Sequence, residues 1–302
     1  MNLNRRAFAA ALLSTISSFS GLAAAFPERK NTSRLRLSLA AYSFRQHFVD
    51  TTEEKTAPPR IDLFEFLDFC ADHGCDGAEL TSYYFPKSPS KDFLLKLKRH
   101  AFLRGVEVSG TAVGNKFTLP PGKEREQQIA SVKKWIDHAQ VLGAPHLRVF
   151  AGSVPEGLSA DQAKAHCIEA LKECCDYAGQ RGVMLGIENH GGIVEEAHEL
   201  LDILKQVNHP WLGINLDTGN FHTADPYGDL EKCAPYAVNV QVKAELRAKG
   251  KSKEATDYGR IVQMLRQAKY QGYVTLEYES DPSPFKAIPP LLAELRKLCK
   301  ES

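Results

Sequence analysis

From Leu35 onward, short apolar runs alternate with longer stretches in which apolar residues recur every three or four positions. The first kind predicts strands and the second amphipathic helices. "LRLSLAAYSF" reads as a strand, and "IDLFEFLDFCADHG" as a helix closing on Gly74. The pair recurs as "CDGAEL" with "KDFLLKLKRHAFLRG", then "VEVSGTAV" with "REQQIASVKKWIDHAQVLG". "PHLRVFAG" precedes "SADQAKAHCIEALKECCDYAGQRG", whose Ser159 is placed to cap the helix. "VMLGIEN" precedes "EEAHELLDILKQV", and "LGINLDTGN" precedes a shorter "DLEKCAPY". "AVNVQVKAELR" is followed by "YGRIVQMLRQAKYQG", and "YVTLEYES" by "FKAIPPLLAELRKLC", where Pro289-Pro290 are expected to break or start the helical run.

Eight alternating strand–helix units imply a parallel sheet, and eight at this length imply closure. The expected fold is therefore α/β, a single (β/α)8 barrel over residues 35–302. An open, doubly wound sheet is the rival. It would be expected to carry a glycine-rich turn after the first strand, and none is present.

In such a barrel the outer strand face packs under helices, while the inner face opens at its C-terminal end into a site. The sequence splits accordingly. Val238, Val240 and Val242 alternate with Asn239, Gln241, Lys243 and Glu245, and Leu147 and Val149 alternate with His146, Arg148 and Phe150. Ile187 neighbours Glu188, Leu216 neighbours Asp217, and Leu276 neighbours Glu277. Three carboxylates converging from different strands, Glu188, Asp217 and Glu277, need compensating positive charge. Two solutions suit that need: a bound divalent cation taking carboxylate oxygens, or buried ion pairs with Lys243 and Arg148.

Charge and composition narrow the partners. A formal charge of +1 without a basic cluster gives no reason to expect nucleic acid. The seven cysteines include no CxxC pair, and most fall beside apolar residues in helical patterns, so buried thiols are expected. At the N-terminus, Arg5-Arg6 precede a moderately apolar stretch ending in Ala23-Ala24-Ala25. Residues 1–25 thus read as an export signal of the twin-arginine type, with residues 26–34 as a linker and a periplasmic location expected. No later segment is long and apolar enough to span a bilayer.

The segments "GIENHGG", "LGINLDTGNF", "NVQVKAELR" and "GYVTLEYES" resemble the sugar phosphate isomerase/epimerase family with the xylose isomerase-like barrel, which includes tagatose 3-epimerase and inosose dehydratase. The resemblance covers essentially residues 35–300. It implies one divalent metal, Mn²⁺ or Mg²⁺ for an all-oxygen site, on Glu188, Asp217, Gln241 and Glu277. Gln241 stands where the family has His, and Asn220 where it often has the His of an Asp-x-x-His on the sixth strand, here Asp217-Thr218-Gly219-Asn220. Arg247 lies six residues after Gln241, as in the epimerases. The implied chemistry is proton abstraction beside the carbonyl of a keto-sugar or related carbohydrate, through an enediolate. Glu188 and Glu277 form the acid–base pair, and Lys243 or His190 is a further proton carrier. Arg148, His190, Asn220, His222 and Arg247 are the expected substrate contacts. Two alternatives accompany this isomerase or epimerase: a β-eliminating lyase or dehydratase on a 3-keto-glycoside or inosose, and a non-catalytic sugar-binding barrel. The assembly state, monomer or homo-oligomer, is left open.

Overall fold

A computed structural model describes residues 28–48 and 60–300. The leader and the first two residues of the linker fall outside the described residues. Eight parallel strands close into a barrel: β1 (Arg34–Ala40), β2 (Gly77–Thr81), β3 (Glu107–Ala112), β4 (His146–Phe150), β5 (Met184–Glu188), β6 (Leu212–Asp217), β7 (Ala237–Lys243) and β10 (Gln271–Glu277). The remaining pair, β8 (Glu245–Leu246) and β9 (Glu254–Ala255), forms a small antiparallel sheet after β7. The barrel strands follow chain order around the ring, and β1 meets β10 in register from Arg34↔Gln271 to Leu39↔Leu276. The architecture is the expected single (β/α)8 barrel.

The helices are α1 (Leu63–Asp72), α2 (Lys91–Leu103), α3 (Lys123–Leu142), α4 (Ala160–Gly179), α5 (Ala197–Val207), α6 (Pro226–Cys233), α7 (Tyr258–Gln267) and α8 (Pro284–Lys300). Local chemistry fixes several ends. Ser159 caps α4 in a reciprocal pair with Gln162, and Asp62 does the same for α1 with Glu65. Gly143 ends α3 at φ 79°, a conformation that only glycine adopts without strain.

Three boundaries differ from the sequence reading. The seventh strand ends at Lys243 and leaves Glu245 to the small antiparallel pair. The first strand stops at Ala40, and residues 41–44 turn as a short 3₁₀ segment. That turn folds over the barrel rim, where Ser43 Oγ accepts from the Tyr278 N–H at 2.9 Å. The third concerns Pro289 and Pro290, which lie inside α8 and do not break it. Each lacks an N–H, but Ile288, Leu292 and Leu295 bury one stripe of the helix against the barrel. Burying each such side chain contributes about 1.5–3 kcal/mol, which offsets the missing backbone bonds.

Outward residues such as Leu147, Val149, Ile187, Val240 and Val242 pack under the helices and are fully buried. Cys70, Cys75, Cys167, Cys174, Cys175 and Cys233 are buried free thiols, and Cys299 is half-buried. No helix among the described residues is long and apolar enough to cross a membrane.

Candidate active site

The inward side chains form two polar layers. The lower is a closed amide–carboxylate ring. Glu79 on β2 accepts from Asn239 Nδ2 at 2.7 Å and from Gln241 Nε2 at 2.6 Å. Asn239 Nδ2 also donates to Asn215 Oδ1 at 2.8 Å, and Asn215 Nδ2 returns a bond to Gln241 Oε1 at 2.6 Å. All four side chains are at most 1% exposed. Such a ring satisfies its buried polar atoms among its own members, which makes its geometry rigid.

The upper layer sits at the C-terminal strand ends. The Lys243 ammonium lies 3.1 Å from Asp217 Oδ2 and donates to Oε1 of both Glu277 and Glu279. Arg148 Nε lies 2.9 Å from Glu188 Oε2 as an ion-pair contact, and Asn220 Nδ2 donates to Glu188 Oε1 at 2.9 Å. Arg148 also donates to the Val113 carbonyl at 3.0 Å and lies 4.0 Å above the Phe150 ring.

The segment Asp217-Thr218-Gly219-Asn220 positions this layer residue by residue. Asp217 Oδ1 accepts from the Gly219 N–H at 2.8 Å, and Thr218 Oγ1 accepts from the Lys243 N–H at 2.9 Å. A Cβ on Gly219 would lie 2.5 Å from Lys243 Cγ, so only glycine leaves room for the lysine stem. Asn220 then reaches Glu188. Asn189 brackets the Asp217 backbone, accepting from its N–H and donating to its carbonyl, both at 2.9 Å.

Four carboxylates here, Glu79, Glu188, Asp217 and Glu277, are buried against two buried cations, Arg148 and Lys243. Burial first, and this excess of negative charge second, raise the proton affinity of Glu188, Asp217 and Glu277. Burial pushes the Glu188 carboxyl up to about 7, against the pull of Arg148. Burial likewise raises Asp217 and Glu277, the latter to about 8, against the pull of Lys243. Desolvation works against the Lys243 charge, but Asp217, Glu277 and Glu279 outweigh it and hold the ammonium protonated well above its usual range.

Of the sequence-predicted residues, the structure brings together Arg148, Glu188, Asp217, Asn220, Lys243 and Glu277. Gln241 lies in the layer below, with both amide atoms engaged. His190 is exposed at the mouth, its ring centroid 4.4 Å from that of Phe150. His222 and Arg247 are exposed and meet each other, His222 Nδ1 lying 3.4 Å from the Arg247 carbonyl oxygen. Sequence reasoning missed Glu79 and the roles of Glu279, Thr218 and Gly219. Only a carboxylate lodged between Ala78 and Leu80 in an otherwise uncharged strand could have flagged Glu79.

The donor set does not fit a divalent metal as it stands. Asp217 Oδ2 and Glu277 Oε1 already face an ammonium, and Glu188 is held by Arg148 and Asn220. The one amide in the implied ligand set is bonded on both sides. Among the described residues no group of three or more His, Cys, Asp or Glu is arranged to hold a metal ion.

The family described as xylose isomerase-like TIM barrel matches residues 67–300. The 3-dehydroshikimate dehydratase of Bacillus anthracis is 19% identical over 212 residues, covering 69% of this chain and 71% of that protein. Among solved structures, D-psicose 3-epimerase in the presence of D-fructose matches with a TM-score of 0.70 at 16% identity, over 87% of this chain and 96% of that one. The IolI protein with a binding zinc atom matches at 0.68 and 16% identity, over 87% of this chain and 96% of its own. At such identities these structures speak to the fold alone, and the zinc is a property of IolI.

Proposed function

Because the chain belongs to the xylose isomerase-like TIM-barrel family, we propose that it is a carbohydrate isomerase or epimerase that removes a proton beside a carbonyl and returns it elsewhere on the same molecule. One observation carries this reading. Glu188 on β5 and Glu277 on β10 converge from separate strands on a centre that also holds Lys243 and Arg148.

Glu188 takes the proton. Its two oxygens are oriented by Arg148 and Asn220, and burial gives it the basicity a general base needs near neutral pH. Glu277, pushed higher still, supplies the proton on return. Two buried carboxyls held by different cations, Glu188 by Arg148 and Glu277 by Lys243, can serve as base and acid in turn. Lys243 and Arg148 are fixed donors for the oxygen on which negative charge develops, in a site where little water competes. His190 and Phe150 wall the mouth beside Arg148.

A second reading shares the first step. Once charge is delocalised, a hydroxyl at the β-position leaves as water if an acid protonates it, and Glu277 would be that acid. The dehydratase relative favours keeping this reading.

The test is incubation with keto-sugars, keto-acids and 3-keto-glycosides in D₂O, following deuterium uptake by NMR. Uptake at one carbon, lost in Glu188→Gln, supports the proposal, and accompanying loss of water or aglycone selects elimination. Tight binding of a sugar without exchange, retained in Glu188→Gln, would overturn it in favour of a binding protein.

A further inference from the structure

We propose that Lys243 is the resident cation of this centre, and that the barrel holds no divalent metal. The ammonium has three protons, and three carboxylates face it: Asp217 at 3.1 Å, with Glu277 and Glu279 accepting hydrogen bonds. A divalent ion would draw on the same oxygens at about 2.0–2.2 Å and would then sit beside a second cation with little solvent between them.

The surroundings are built for the lysine. Gly219 leaves space for its stem, and Thr218 Oγ1 fixes its backbone N–H at 2.9 Å. Its side chain is 10% exposed, so the ammonium is committed inward. The rest of the implied ligand set is committed elsewhere. Gln241 closes the lower ring through Glu79 and Asn215. Glu79 therefore has a definite part, because it draws the Gln241 amide downward and away from the carboxylates above.

The chemical consequence deepens the proposed function and rests on it. A metal stabilises a developing oxyanion but has no proton to give. An ammonium stabilises the same oxygen by a charge-assisted hydrogen bond, once one of the three carboxylates cedes its contact to the substrate, and can also protonate it. The absence of a metal is a separate claim and is tested apart from turnover.

The experiment uses the mature chain, purified without added metal, for elemental analysis and for thermal melting with Mn²⁺, Mg²⁺, Zn²⁺ or EDTA. The expected result is no stoichiometric metal and an unmoved melting temperature. One metal per chain, or a saturable rise in melting temperature abolished in Asp217→Asn, would overturn the proposal. Lys243→Ala should melt lower than wild type and be restored in part by ethylammonium or Mn²⁺, neither of which moves the wild type. A folded Lys243→Ala that responds to neither cation also overturns it. If that variant does not fold, the wild-type measurement decides. A metal-free protein without any exchange activity would sink the isomerase reading and leave this one standing, whereas Mn²⁺-dependent exchange would do the reverse.

Discussion

At the residue scale, the constraint that bears most directly on the site is the space beside Lys243. Gly219→Ala would press a methyl against the lysine stem, 2.5 Å from Cγ, without requiring an unusual backbone angle. The expected outcome is a folded protein whose proton-exchange rate falls about tenfold or more, since misplacing a charged donor costs on the order of 1–3 kcal/mol. In a Lys243→Ala background the same change should cost little further activity, and a double-mutant cycle measures that coupling. Glu188 offers a second test. Burial raises its carboxyl from 4.5 to about 7, so the folded state favours the protonated form. Its stability contribution is complete below pH 4.5 and is lost as pH rises through 7, amounting to about 3 kcal/mol. Urea unfolding at pH 5 and pH 8 should show this fall, and Glu188→Gln should flatten it. A slope unchanged in Glu188→Gln would assign the fall to Asp217 and Glu277, which shift the same way. The sequence made the upper layer legible because strand alternation tells which face a residue occupies. It could not tell height along the barrel axis. Gln241 and Lys243 share a face, but Gln241 pairs in register with Asp217 and Thr275, and Lys243 with Glu277 one step higher. Glu79 stayed hidden because β2 is short, Gly77–Thr81, and Gly77 and Ala78 before the glutamate give little alternation to set its face.

At the element scale, the helices and strands were legible wherever periodicity ran long, and misread where tertiary packing overrode a local signal. The proline pair in α8 is the clearest example. Pro290 is exposed, so its substitution tests the backbone alone. Pro290→Ala restores one helical N–H and should stabilise the protein by about 1–3 kcal/mol, allowing for the freer unfolded chain. A rise in melting temperature of several degrees checks it, and no rise would mean the helix is already relaxed around the ring. A loop residue does the opposite service. Asn115, just past β3, donates to the Phe150 carbonyl at 2.8 Å and accepts from the Phe150 N–H at 2.9 Å. It thereby imitates a strand neighbour and prolongs the β3–β4 pairing toward the rim, beneath Phe150. Asn115→Ala leaves both backbone groups without this partner. It should destabilise the barrel by about 1–3 kcal/mol, measurable as a lower urea midpoint with an unchanged slope.

At the scale of the whole molecule, the barrel depends on closing β1 against β10, and the chain leading into β1 is tied to the opposite side of that seam. Arg29 Nη2 donates to the Ala237 carbonyl at 2.6 Å, at the start of β7, and Nη1 reaches the Ala234 and Ala268 carbonyls at 3.4 Å. Its guanidinium also lies over the Tyr270 ring, 5.4 Å from the centroid. One side chain therefore joins the segment entering β1 to the start of β7 and to the turn that leads into β10. The export reading places cleavage after Ala25, so a processed chain beginning at Phe26 would keep this tie. Removing residues 1–25 should leave the melting temperature unchanged, whereas Arg29→Ala in that shortened chain should lower it by several degrees, the loss of hydrogen bonds from a charged donor costing about 1.5–3 kcal/mol. Equal melting of all three chains would mean that the β1–β10 register alone closes the barrel. Loss on removing residues 1–25 would mean that the leader itself contributes to the fold, contrary to its reading as a signal that is cut away. Intact mass of the protein recovered from the cell envelope would decide that point independently, because processing after Ala25 fixes the N-terminus at Phe26.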